Sequence, residues 1–137
     1  MRSSEGKKGI IFIRSNSIVS DSRVIKEADT ALKCGFRVLI LGWNREKREF
    51  NTPKFQLNNG IAQVMLFNVK CRYGDGLKSL PKLIIFQFWI LYSLFIKRKQ
   101  YSIMHSCDFD CVIPCFLVKK IINKILIYDI FDYYIHS

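Results

Sequence analysis

The stretch Gly9–Trp43, GIIFIRSNSIVSDSRVIKEADTALKCGFRVLILGW, reads as strand, loop, helix, strand. Ile10–Ile13 is a short unbroken apolar run, the pattern of a strand covered on both faces. Ser20 or Asp21 is placed to cap the helix that follows. In that helix Val24, Ala28, Ala31 and Leu32 fall on one face, with Ile25 at its margin, while Arg23, Lys26, Glu27, Thr30 and Lys33 fall mostly on the other. Gly35 stands where a helix needs a left-handed residue at its end. Arg37–Leu41 is a second buried strand, closed by Gly42. Units of this kind cross over right-handed to a parallel strand. The expected fold class is therefore α/β, a Rossmann-like, doubly wound, mostly parallel sheet. The loop after its first strand is where such sheets place ligands.

The totals bound what surrounds this unit. A chain of 137 residues fits one domain and can bury a core, and its 50% hydrophobic content argues against disorder. The net charge of +11 points to an anionic partner: nucleic acid, an acidic membrane surface or a phosphorylated substrate; the plain alternative is a solubilising surface. Five cysteines, with a polar and basic start at Met1–Lys8 in place of a signal peptide, fit a reducing compartment. The expected location is the cytoplasm, including the inner face of its membrane. Cys107, Cys111 and Cys115 recur every four residues, a spacing that raises a metal site but is better read as small buried hydrophobes.

Outward from the opening unit, residues 1–8 form a polar leader and 9–137 one partial domain. After Trp43 a charged, turn-rich segment with Pro53 and Asn58-Asn59-Gly60 reads as a surface connection, with room for a short helical turn. Ala62–Val69 is a third strand, and Lys70–Lys78 a loop. Ser79–Lys99 is a long helix, with Pro81 in its first turn and Lys97-Arg98-Lys99 at the negative end of its dipole. Its segment Leu83–Ile96 is apolar nearly all round, yet short of the ~20 residues that span a membrane. Burial against the sheet is the first reading. The second is an interfacial helix, with Trp89, Phe95, Lys97, Arg98 and Lys99 as candidate membrane contacts. A fourth strand at Ser102–His105, a helix at Phe109–Ile122 and a buried fifth strand at Lys124–Ile130 complete the order β-α-β-β-α-β-α-β. The chain stops at Ser137 with no helix to cover that strand, so an incomplete domain is expected.

In an open parallel sheet the carboxyl ends of the strands line the ligand edge. They supply Arg14, Asn16 and Asp21 after strand one, His105 and Asp108 after strand four, and Asp129 and Asp132 after strand five. Asp21 and Asp108 also stand at helix starts, where capping competes with chemistry. The dinucleotide fingerprint, the P-loop, the hydrolase elbow and zinc motifs are all missing from the sequence. No metal is expected.

Three runs then carry a resemblance. D-S-R-V-x-K-E-A…G-x-x-V-x-I-L-G-W, I-x-H-x-x-D-x-D-x-x-x-P and Y-D-x-x-D-x-Y occur in the order and at distances similar to the N-terminal domain of family 4 glycosyltransferases. The resemblance covers about Gly9 to Tyr134. It implies a GT-B fold and retaining transfer of a sugar from a nucleotide-sugar to a glycan, polysaccharide or lipid-linked acceptor. It implies substrate contacts at Arg14, Asn16, Asp21, Asp129 and Asp132, and catalytic roles for His105 and Asp108. The family's glycines are missing from the first loop, and Cys107 stands where relatives often have a second histidine. Donor binding in that family belongs mainly to a second domain, so a separate C-terminal donor-binding half is the implied partner and no activity is expected of this chain alone. The nucleotide-sugar is a substrate, and no cofactor is implied. Many relatives are peripheral membrane enzymes, which adds an anionic membrane surface as a candidate partner.

Two other classes compete. One is a non-catalytic α/β interaction module that pairs with a donor-binding half or another partner; an epimerase on the same fold is a neighbouring enzyme reading. The other is nucleic-acid binding, which the scattered distribution of the basic residues argues against.

Overall fold

The structure is a computed structural model that describes residues 8–15, 22–44, 54–70, 80–107 and 109–128. Its elements are β1 (Gly9–Ile13), α1 (Ser22–Lys33), β2 (Arg37–Trp43), β3 (Lys54–Leu57), β4 (Gly60–Phe67), α2 (Leu80–Ile96), a 3₁₀ turn (Arg98–Gln100), β5 (Ile103–Ser106), α3 (Phe109–Ile121) and β6 (Ile125–Tyr128). The fold is α/β. One sheet has the strand order β3-β4-β2-β1-β5-β6, parallel throughout except for β3.

The opening unit folds as its pattern predicts. All five residues of β1 are buried, because helices cover both faces of the central strands. Val24, Ala28 and Ala31 of α1 pack on Ile10, Phe12, Val38 and Ile40. The helix ends at Gly35, whose φ of 92° is the left-handed conformation that a side chain would strain. The opposite face of β1 and β2 carries Ile11, Ile13, Leu39, Leu41 and Trp43, and there α2 and α3 supply Phe86, Ile90, Leu94, Cys111, Cys115 and Val118. Trp43, Phe67, Phe86 and Trp89 form an aromatic stack in this layer, with Trp43 and Phe86 4.5 Å apart and nearly parallel.

Two expectations need correction. Lys54–Leu57 is a strand rather than a surface connection or a helical turn. It forms a hairpin with β4 in which Leu57 pairs with Gly60 across Asn58-Asn59. The turn is fastened to α1, since the Asn59 amide donates to Asp29 Oδ1 at 2.7 Å. The last strand is not buried: Ile125, Ile127 and Tyr128 are exposed, and only Leu126 packs against the core. Register explains this. Ile125 and Ile127 lie beside Ile103 and His105, on the face that α1 covers only over β1, β2 and β4. The long helix closes at Ile96, with the basic run leading into the 3₁₀ turn.

Candidate functional site

Alternating crossovers build the site. From β1 the chain leaves through α1 toward β2, and from β5 it leaves through α3 toward β6 in the opposite direction. These two helices lie on opposite faces of the sheet, since α1 belongs to one apolar layer and α3 to the other. The carboxyl ends of β1 and β5 therefore diverge at a topological switch point, the position where open α/β sheets form their crevice. Backbone bonds carry the pairing to the rim. The Cys107 amide donates to Ile13 O at 3.0 Å and the Arg14 amide to Leu41 O at 2.9 Å. Ile13 is in register with Ser106. Arg14 and Ser15 thus stand beside Ser106 and Cys107, which are 92 or so residues away along the chain.

Of the residues expected at this edge, Arg14 and His105 are described. Asn16, Asp21, Asp108, Asp129 and Asp132 lie outside the described residues. Arg14 is half-buried and brings a guanidinium to the rim, a group suited to phosphate or carboxylate. His105 sits one residue inside the strand end and faces α1. Its ring centroid lies 4.9 Å from that of Phe12. Its Nε2 is 4.0 Å from Glu27 Oε1, an ion-pair distance once the ring is protonated. His105 and Glu27 border a depression of about 370 Å³ against the sheet, floored by Ile10 and Phe12 and edged by Lys26 and Thr30.

Sequence reasoning missed three polar residues here. Glu27 was placed on the outer face of α1, but it adjoins the buried Ala28 and reaches His105. Asn44 and Asn68 follow β2 and β4, and their side chains meet, Asn44 Nδ2 donating to Asn68 Oδ1 at 2.9 Å. Asn44 is buried, and its backbone N–H donates to Phe67 O. Applying the strand-end rule to β2 and β4 as well would have found this pair.

The cysteine stripe divides between layers. Cys107 packs on the α1 side, and Cys111 and Cys115 pack under α3. Burial pushes the Cys115 thiol up to about 12, partly offset by its bond with Ser106. Among the described residues no group of three or more His, Cys, Asp or Glu is arranged to hold a metal ion. Cys107, Cys111 and Cys115 are fully buried and pack as small core residues.

Trp89 and Phe95 are half-buried against the core, so the outward aromatic side chains of α2 are Phe88 and Tyr92. Among the described residues no helix is long and apolar enough to cross a membrane. No family model, curated protein or solved structure matches the chain.

Proposed function

We propose that this chain is the acceptor-side domain of a glycosyltransferase that moves a sugar from a nucleotide-sugar to a glycan or lipid-linked acceptor. The supporting observation is the switch point between β1 and β5, where the Arg14–Ser15 loop and the Ser106–Cys107 turn share one rim. Of the three sequence runs that resemble family 4 glycosyltransferases, the described parts include helix α1 beside this edge and His105 near the end of β5. Arg14 would bind an anionic group of the donor or acceptor, since its guanidinium fork matches phosphate and carboxylate oxygens. His105, oriented by Glu27 and Phe12, is the candidate general acid or base. These 137 residues supply one of the two sheets that such enzymes use, and the donor would be held mainly by the other.

The purified chain should give no transfer with a panel of nucleotide-sugars and acceptors. In amide NMR titrations the right acceptor should shift Arg14, Ser15, Ser106 and Cys107, and Arg14→Ala should weaken those shifts. Turnover by this chain alone would contradict the split of labour. Shifts elsewhere, with none at the rim for any glycan or lipid-linked acceptor, would sink the transferase reading in favour of an interaction module.

A further inference from the structure

Helix α2 is apolar nearly all round, but the sheet uses only one side of it. Phe86, Ile90 and Leu94 face inward, whereas Ile84, Ile85, Phe88, Tyr92 and Ile96 are exposed, Phe88 by 66% and Tyr92 by 64%. Helix α3 repeats the division, with Cys111, Cys115 and Val118 inside and Ile113, Phe116, Leu117 and Ile121 exposed. The two helices lie side by side on the same face of the sheet. Their outer stripes therefore form one apolar ridge, and a slot of about 390 Å³ opens between them, lined by Leu83, Gln87, Leu91 and Pro114 among others. Apolar surface gathered this way marks an interaction face.

The charge beside the ridge decides the occupant. Both helices run antiparallel to the strands, so their carboxyl ends meet at the edge where the strands begin. Lys97, Arg98 and Lys99 follow α2 there, Lys119 and Lys120 close α3, and Lys124 precedes β6. No Asp or Glu occurs from Leu80 to Cys107. Lys124 Nζ is committed inward, donating to Arg98 O and Tyr101 O at 2.7 Å each. The others ring the end of an apolar surface with positive charge. A second copy of this chain would bring the same charges against them, on top of a net +11 per molecule. An anionic bilayer offers apolar depth and negative head groups together.

We propose that the α2–α3 face docks on an anionic phospholipid surface. Phe88, Tyr92, Phe116 and Ile121 enter the head-group boundary, and the basic helix ends lie on the phosphates. The 17-residue α2 then lies in the membrane plane rather than across it. The strands run roughly along that plane, so the crevice at their carboxyl ends opens sideways beside the bilayer. The proposal rests on the two helices alone and stands apart from the transferase reading.

Co-sedimentation of the whole chain with phosphatidylcholine vesicles, with and without phosphatidylglycerol, tests it. Binding is expected with phosphatidylglycerol only, and added salt should weaken it. Lys119→Ala with Lys120→Ala should lower the partition constant roughly 30-fold, at about 1 kcal/mol for each basic residue near the surface. Phe88→Asp with Ile121→Asp should abolish binding while circular dichroism stays unchanged. If the aspartate pair fails to fold, the lysine pair decides alone. Equal binding to neutral vesicles, binding to neither, or a stable dimer dispersed by Phe88→Asp would overturn the proposal.

Discussion

Alanine at Phe86 and alanine at Phe88 should differ in cost by several kcal/mol, although the two residues are identical and two positions apart on one helix. Phe86 is fully buried, with its ring 4.5 Å from Trp43, 5.4 Å from Phe67 and 5.8 Å from Trp89. Removing such a side chain costs about 3–5 kcal/mol, including the cavity left behind. Loss of the stacked partners puts it in the upper part of that range. Against a typical domain stability of about 5–15 kcal/mol, the Phe86→Ala protein would be close to its unfolding threshold. Phe88 is mostly exposed, so Phe88→Ala should cost under about 0.5 kcal/mol. Urea denaturation followed by tryptophan fluorescence suits the test, because both tryptophans of the chain, Trp43 and Trp89, stack on Phe86. For a slope of about 1.5–2 kcal/mol per molar, a loss of about 4 kcal/mol moves the midpoint down by roughly 2–3 M. Equal costs at the two positions, or the larger cost at Phe88, would mean that α2 presents a different face to the sheet. The apolar ridge would then fall with it.

Gly9→Ala should cost about 2 kcal/mol or more, because a Cβ at Gly9 would run into the backbone of Gln100 and Tyr101, which cannot move without breaking the start of β5. A thermal midpoint within a degree of the parent would refute that close approach. Thiol labelling of the native chain with peptide mapping should modify the exposed Cys34 and spare Cys107, Cys111 and Cys115, which become reactive only on unfolding. Rapid labelling of Cys115 would be incompatible with its burial. The Cys115 thiol is raised above its ordinary value of 9.0 to about 12 in the folded chain, and burial raises the Tyr101 hydroxyl in the same direction. Their neutral forms therefore support the fold fully below pH 9.0, and that support drains away as pH climbs toward 12. Thermal midpoints across this window should fall, and a flat profile would contradict the shifts.

The β1–α1–β2 unit was legible because every level agreed. The apolar runs were continuous, the helix had one small-residue face, and Gly35 stood at its end. The hairpin β3 was not, although its turn residues Asn58-Asn59-Gly60 were in view. Only Phe55 and Leu57 point inward in the short, half-polar run KFQL, too little alternation to distinguish an edge strand from a loop. The final strand misled in the opposite way. Ile125–Ile127 reads as buried by composition, but burial depends on which faces other elements cover, and α1 does not reach β6. Helix α2 lies between these cases. With Leu83–Ile96 apolar on all sides, periodicity carried no information about orientation, so Phe88 and Trp89 could not be assigned to outside and inside. At the candidate site, Arg14 directly follows β1 and His105 lies one residue inside the end of β5, positions that the apolar runs made legible. The Glu27 contact depends on helix packing that spacing alone does not encode.

The place of β1 in the sheet has a consequence for biosynthesis. This strand is made first, yet its neighbour on one side, β5, follows after most of the chain, with Gly9 and Ser102 bonded across 93 residues. At about 5–20 residues per second, roughly 5–20 s separate the appearance of the two partners on the ribosome. During that interval the β5-facing edge of β1 stays open, although β2 and β4, whose Trp43 and Phe67 hold Phe86, are already made when α2 emerges. The seam between β1 and β5 is therefore the late step of sheet assembly, closed only after the hairpin and α2 have been made.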